Sequence, residues 1–238
     1  ITQPRATRKV PLRPPPGVCA RAVWEAGSAG SAASATTLPG AAAALQGFQQ
    51  HLRRARNKAQ YLRIQAYYLA ESYPQVALDL LAQCFALGDR TDLALALVHK
   101  ARAHCALGDV DTAISSYEEA LERERQFPQL KTHAYLEFVR LVIKVRAAHL
   151  YPRALEVLDS NRGLQIFPVD RYLANGARAL LLHEFGRTDE ARSAADLAMA
   201  AAREIESGFR YHKNVGLVKN TDDEFGLRVA ALANRTNH

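Results

Sequence analysis

Gly108-Asp109-Val110-Asp111-Thr112-Ala113-Ile114-Ser115-Ser116-Tyr117 is the stretch that decides the fold. It opens with a turn-prone break, sets an alanine five residues on, and places a large apolar residue one helical turn later. The same design returns in Ser72-Tyr73-Pro74-Gln75-Val76-Ala77-Leu78-Asp79-Leu80-Leu81 and in His149-Leu150-Tyr151-Pro152-Arg153-Ala154-Leu155-Glu156-Val157-Leu158. A fourth copy, Gly186-Arg187-Thr188-Asp189-Glu190-Ala191-Arg192-Ser193-Ala194-Ala195, keeps the break and the alanine. Ala77, Ala113, Ala154 and Ala191 are spaced by 36, 41 and 37 positions. Periods of this size belong to stacked two-helix repeats, in which one unit cannot bury its own apolar face and its neighbours complete the core. The prediction is an all-α solenoid of antiparallel helix pairs, about four in number.

Composition agrees. Of 238 residues 48% are hydrophobic, enough for a core. No run of about 18 apolar residues is free of charge, so no membrane-spanning helix is expected. The charge is uneven: residues 1–63 carry a net +9 and residues 64–238 a net −2, within the total of +7. The basic character therefore belongs to the N-terminal arm and the helix after it. Cys19, Cys84 and Cys105 have no metal-ligand spacing and read as free thiols, Cys84 and Cys105 buried between helices. A reducing, cytoplasmic setting follows.

Three regions are expected. Residues 1–45, rich in Pro, Ala, Gly and Ser, offer too little large apolar surface to offset the entropy of ordering and read as a disordered basic arm. The chain starts at Ile1, which points to a fragment, a processed product or an incomplete gene model. An arm that is Arg-rich and nearly free of acids also fits an organellar transit peptide. Residues 46–206 carry the helices. The first runs unbroken from about Leu45 through Phe48, Leu52, Ala55, Ala59, Leu62, Ala66 and Leu69, an i, i+3/i+4 stripe. Pro74 starts the second, and Gly88 closes it. Further helices are expected near 92–107, 110–125, 129–148, 152–162, 169–185 and 188–206. Residues 207–238 hold an ordered loop and a capping helix near 222–234, begun by a capping box in Thr221-Asp222-Asp223-Glu224. Phe225, Leu227, Val229 or Leu232 of that helix should meet the last repeat.

These residues resemble the tetratricopeptide repeat family. Asp92–Arg125 is the best copy, with Leu97, Ala101 and His104 on its first helix and Ala113, Tyr117 and Ala120 on its second. Tyr172–Ala202 keeps Ala179, Gly186, Ala191 and Ala198, but has Asn175 and Ala195 where the family places bulk. In the remaining copies Gln65 and Val142 replace the small first-helix residue, and Ser72 or His149 replaces the turn glycine. The resemblance covers about residues 58–205. It implies a right-handed superhelix whose first helices line a concave groove, which would present Leu62 and Ala66, then Leu95, Val98 and Arg102. Leu136, Val139, Ile143 and Arg146 would follow, then Leu173, Leu180 and His183. Family members that clamp the carboxylate tail of chaperones use lysines and asparagines there; Val98, Val139 and Gly176 stand instead, so that specificity is not expected.

Such a groove would accept a peptide or an amphipathic helix, with Arg102 and Arg146 fixing an acidic group. Alternatively a helix of the same chain fills it. Arg53, Arg54, Arg56 and Lys58, with Arg63 beyond, read first as a solvated basic face and second as a nucleic-acid contact. His99 and His104 lie five apart, which turns them away from a shared metal. No nucleophile motif or phosphate loop appears, so neither catalysis nor a cofactor or metal is expected. The function expected is a non-catalytic protein–protein interaction module. An RNA-associated repeat protein, or the recognition part of a larger enzyme or signalling protein, is the alternative.

Overall fold

The computed structural model describes residues 48, 50–88 and 92–234. The expected arm over 1–45, with Cys19, lies outside the described residues. Internal contacts divide the chain into two units, Ile1–Asp89 and Arg90–His238. The described residues form helices, turns and irregular chain, without strands: an all-α protein. None of the described helices is long and apolar enough to cross a membrane.

In the first unit, helix α1 (Lys58–Leu69) packs on α2 (Pro74–Ala86). Ala59, Leu62, Ala66 and Leu69 meet Ala77, Leu81 and Cys84 in its core. The Cys84 thiol donates to the Ala59 carbonyl across the pair, at 3.3 Å. Pro74 opens α2 as expected, because a first-turn residue needs no intrahelical N–H bond. The single long first helix is not what forms. Residues 50–54 are helical, the chain breaks at 55–57, and α1 starts afresh. Asn57 is the cause: its side chain accepts a 2.9 Å bond from the Gln60 N–H, capping a new helix.

The second unit holds α3 (Leu93–Leu107), α4 (Val110–Gln126), α5 (Ala134–Lys144), α6 (Tyr151–Ser160), α7 (Pro168–Glu184), α8 (Thr188–Ala202) and α9 (Glu224–Ala233). Each of α3 to α6 packs on the next; α5 also touches α7, α7 lies along α8, and α9 rests on both. Helix α5 begins at Ala134, later than expected. Residues 129–133 are taken by the link, where Thr132 Oγ1 accepts from the Ala134 N–H and is itself held by Glu124. Helix α8 stops at Ala202, and Glu204 pairs with Arg171 of α7 at 2.6 Å. Thr221 is not the cap of α9. Asp223 is, its Oδ1 accepting from the Gly226 N–H at 2.8 Å.

Three turns in this unit are built alike. Gly108, Arg146 and Gly186 take left-handed φ values of 77°, 54° and 71°. In each, the turn residue's N–H bonds three residues back: Gly108 to Cys105, Arg146 to Ile143, Gly186 to His183. The next N–H bonds five back, Asp109 to His104, Ala147 to Val142 and Arg187 to Leu182. The one after bonds to the turn residue itself. This six-to-one closure ends a helix on a left-handed residue. Ala113 and Ala191 follow their turn residue by five positions, and Ala154 follows Arg146 by eight. A 3-10 turn, Ala148–Leu150, takes up the extra three and accounts for most of the longer 41-residue interval. All three alanines are essentially inaccessible, at 0–1% exposure, so no methylene can be added where these helices touch their neighbours.

Arg146 thus occupies a glycine position. A side chain in the left-handed region costs about 1–2 kcal/mol, and glycine recovers this less about 0.5–1 kcal/mol of unfolded-chain entropy. Arg146→Gly is expected to stabilise the protein by about 0.5–1 kcal/mol in urea denaturation, whereas Arg146→Ala should leave the midpoint almost unchanged.

Candidate functional site

Most of the aliphatic residues expected to line a groove are core. Val98, Leu136, Val139, Ile143 and Leu180 are buried within the second unit, and Leu62 and Ala66 within the first. Helix α5 buries seven of its eleven residues, because α4, α6 and α7 all pack on it. Periodicity marks an apolar face but not how many neighbours cover it. Leu95, Leu173 and His183 are half-buried. Arg146 projects from a turn, not from a helix face, and is exposed.

Arg102 already has an acidic partner within the fold. Its Nε donates to Glu137 Oε2 at 2.7 Å, and its Nη2 donates to Oε1. The Tyr117 hydroxyl donates to the same Oε2 at 2.9 Å, so one carboxylate ties α3, α4 and α5 together. Burial, then the Glu137 charge, push the Tyr117 phenol far above its ordinary value. Gly176, read as a groove residue, lies under α9: a Cβ there would sit 2.9 Å from the Phe225 ring and 3.0 Å from Val229. Phe225 also meets Tyr172 edge-on, and its centroid is 6.0 Å from the Arg140 guanidinium.

Of the other candidates, His99 is buried, and His104 Nδ1 lies 3.1 Å from Asp109 Oδ2, beside the cap of α4. Cys84 is buried as expected; Cys105 is only half-buried, and that burial raises its thiol pKa. No cluster of three potential metal ligands occurs among the described residues. Arg53, Arg54, Arg56 and Lys58 are all exposed. Arg63, expected to extend this basic face, is buried on α1 beyond the break at 55–57.

Glu124 is fully buried at the α4–α5 link. Its Oε1 accepts from the Thr132 N–H at 3.0 Å and from the Thr132 hydroxyl, and Lys131 Nζ lies 3.8 Å from Oε2. Desolvation outweighs these bonds and raises the carboxyl pKa. A carboxyl raised in the folded state binds more protons folded than unfolded as pH climbs past about 4.3. Stability contributed by this group therefore falls from that pH upward through the raised value. Glu124→Gln is expected to flatten this slope, read as urea midpoints at pH 4.5 and 7.5; an unchanged slope would contradict it.

Between α6, α7, α8 and the turn after α6 lies a pocket of about 430 Å³ that the sequence reading did not identify. Asp159 is part of its lining, with its side chain half exposed. Arg162 Nη2 (2.7 Å), Arg162 Nε (3.1 Å) and Arg178 Nη1 (2.8 Å) converge on the single oxygen Oδ1. Burial pushes the Asp159 carboxyl up, but the Arg162 hydrogen bond and the Arg178 charge outweigh it and hold the group low. Arg187 and Glu190, also on the lining, pair at 2.5 Å. Three guanidinium groups thus face two carboxylates. Asn175 and Ser193 add neutral polar groups, and Leu155, Leu182, Ala194 and Leu197 are the apolar part of the lining. Asn175 was the available signal, a small polar residue where the family resemblance places bulk. The chain matches no protein-family model, no curated protein and no solved structure.

Proposed function

We propose that this chain is a tetratricopeptide-like helical-repeat protein that acts, without catalysis, by binding a peptide segment of another protein. In this reading α3–α4, α5–α6 and α7–α8 are antiparallel repeats of a right-handed solenoid, and α9 caps their end. The observation that carries it is the turn built three times, each followed by an inaccessible alanine on the next helix. Repetition of one hairpin yields an extended surface, and such surfaces bind chains. The spent polar groups point the same way, since Arg102, Glu137 and Glu124 serve links between helices.

The aliphatic stripe of the first helices contributes stability, and recognition falls to polar and half-buried positions. A selection from a random peptide-display library on the full chain tests the reading. Enrichment of a convergent sequence family, bound by the folded chain and not by urea-unfolded chain, is the expected result. Absence of convergence after several rounds would overturn it.

A further inference from the structure

We propose that the pocket between α6, α7 and α8 is an acceptor for the carboxylate of an acidic residue in an extended peptide, with a neighbouring apolar residue laid against Leu155 and Leu197. This deepens the interaction reading above, and it rests on that reading for the peptide nature of the ligand.

Size comes first. About 430 Å³ lies within the range of ligand pockets and exceeds what one side chain needs. Charge comes second. The three arginines outnumber the two carboxylates by one, so the pocket carries one uncompensated positive charge. A carboxylate brings one negative charge and matches that surplus, whereas a phosphate dianion exceeds it. Because Arg162 and Arg178 both spend their bonds on one oxygen of Asp159, each guanidinium keeps further N–H donors. Arg178 is mostly buried, with its side chain 16% exposed, so Asp159 holds it in place before any ligand arrives.

The remaining lining suits a peptide. Asn175 offers both a donor and an acceptor for a backbone amide. Leu197, at 58% exposure, is one of the most exposed aliphatic side chains among the described residues and lies on the pocket wall. The pocket is also separate from the face of α7 that α9 covers. At 100° per residue, the Asn175–Arg178–Leu182 stripe lies roughly 110° round the helix from Tyr172 and Gly176, which meet Phe225 of α9.

The test is a 1H–15N NMR titration of the full chain with N-acetyl-Leu-Glu-Leu-amide, its Gln analogue and inorganic phosphate. The expected result is saturable shifts at Asn175, Arg178, Ser193 and Leu197 with the Glu peptide, and at least tenfold weaker binding of the Gln peptide. Arg178→Gln should weaken the Glu peptide by tenfold or more. Asn175→Leu, which fills the pocket and leaves every ion pair in place, should abolish binding without lowering Tm. Equal binding of the Gln peptide, tighter binding of phosphate, or undiminished binding by Asn175→Leu would each overturn the proposal. Absence of shifts at the pocket would do so as well, while a convergent display selection would leave the general peptide-binding reading standing.

Discussion

Val139→Asp is expected to unfold the second unit. Val139 has no accessible surface and sits on α5 among α4, α6 and α7. The substitution forfeits about 1.5–3 kcal/mol of apolar burial and places a carboxylate where no water reaches. A loss of roughly 4 kcal/mol or more is expected, comparable with the lower end of the 5–15 kcal/mol that holds a typical domain folded. Thermal melts followed by circular dichroism, with urea titration where a fold survives, check it. Arg140→Ala, one residue away and exposed, should cost no more than about 1 kcal/mol through its contact with Phe225. A groove-lining Val139 would behave like Arg140. Ile143→Asp should follow Val139→Asp for the same reason, since Ile143 is also core.

Gly226→Ala is the second large effect. A methyl group there would meet the Thr221 carbonyl, with its carbon at 2.6 Å and its oxygen closer still, and the Tyr172 hydroxyl at 2.8 Å. Backbone atoms cannot rotate away as a side-chain tip can. The first turn of α9 must move, taking the Asp223 cap with it and lifting Phe225 and Val229 from Gly176. Overpacking of this kind costs about 1–3 kcal/mol. Faster amide hydrogen exchange at Val229 and Leu232 than in the parent protein is expected; unchanged exchange with an unchanged Tm would show that the contact has slack.

Local chemistry explains why the helix order and the turns were readable in advance. Gly108 and Gly186 announce left-handed turns, Pro74 announces a first turn, and the alanines mark close approach without knowledge of the partner helix. Arg146 could not be read this way, because nothing in an arginine signals a positive φ. The sequence pattern pointed instead to His149, three residues on. The apolar stripe runs on across Asn57 and hides the break there, although the capping oxygen of Asn57 is decisive. Thr221 and Asp223 are both good caps, and a local pattern does not rank them.

The site was less legible than the fold for a different reason. Val98, Leu136, Val139, Ile143 and Leu180 lie on wide apolar faces, and only the packing of other helices separates covered positions from open ones. Arg102 looked available because Glu137 is 35 residues away in sequence. Arg178 and Asp159 likewise become partners only when α6 and α7 meet. Asn175 alone carried a trace of the pocket, as a departure from bulk.

Whether one hairpin is built three times is read most directly from the backbone angle at Arg146. One-bond Cα–Hα couplings, measured for Gly108, Arg146 and Gly186 in the folded chain, distinguish positive from negative φ. A positive φ at Arg146, matching the two glycines, is the predicted result. A negative φ there would mean that the α5–α6 turn differs from the other two and that the repeat is not preserved.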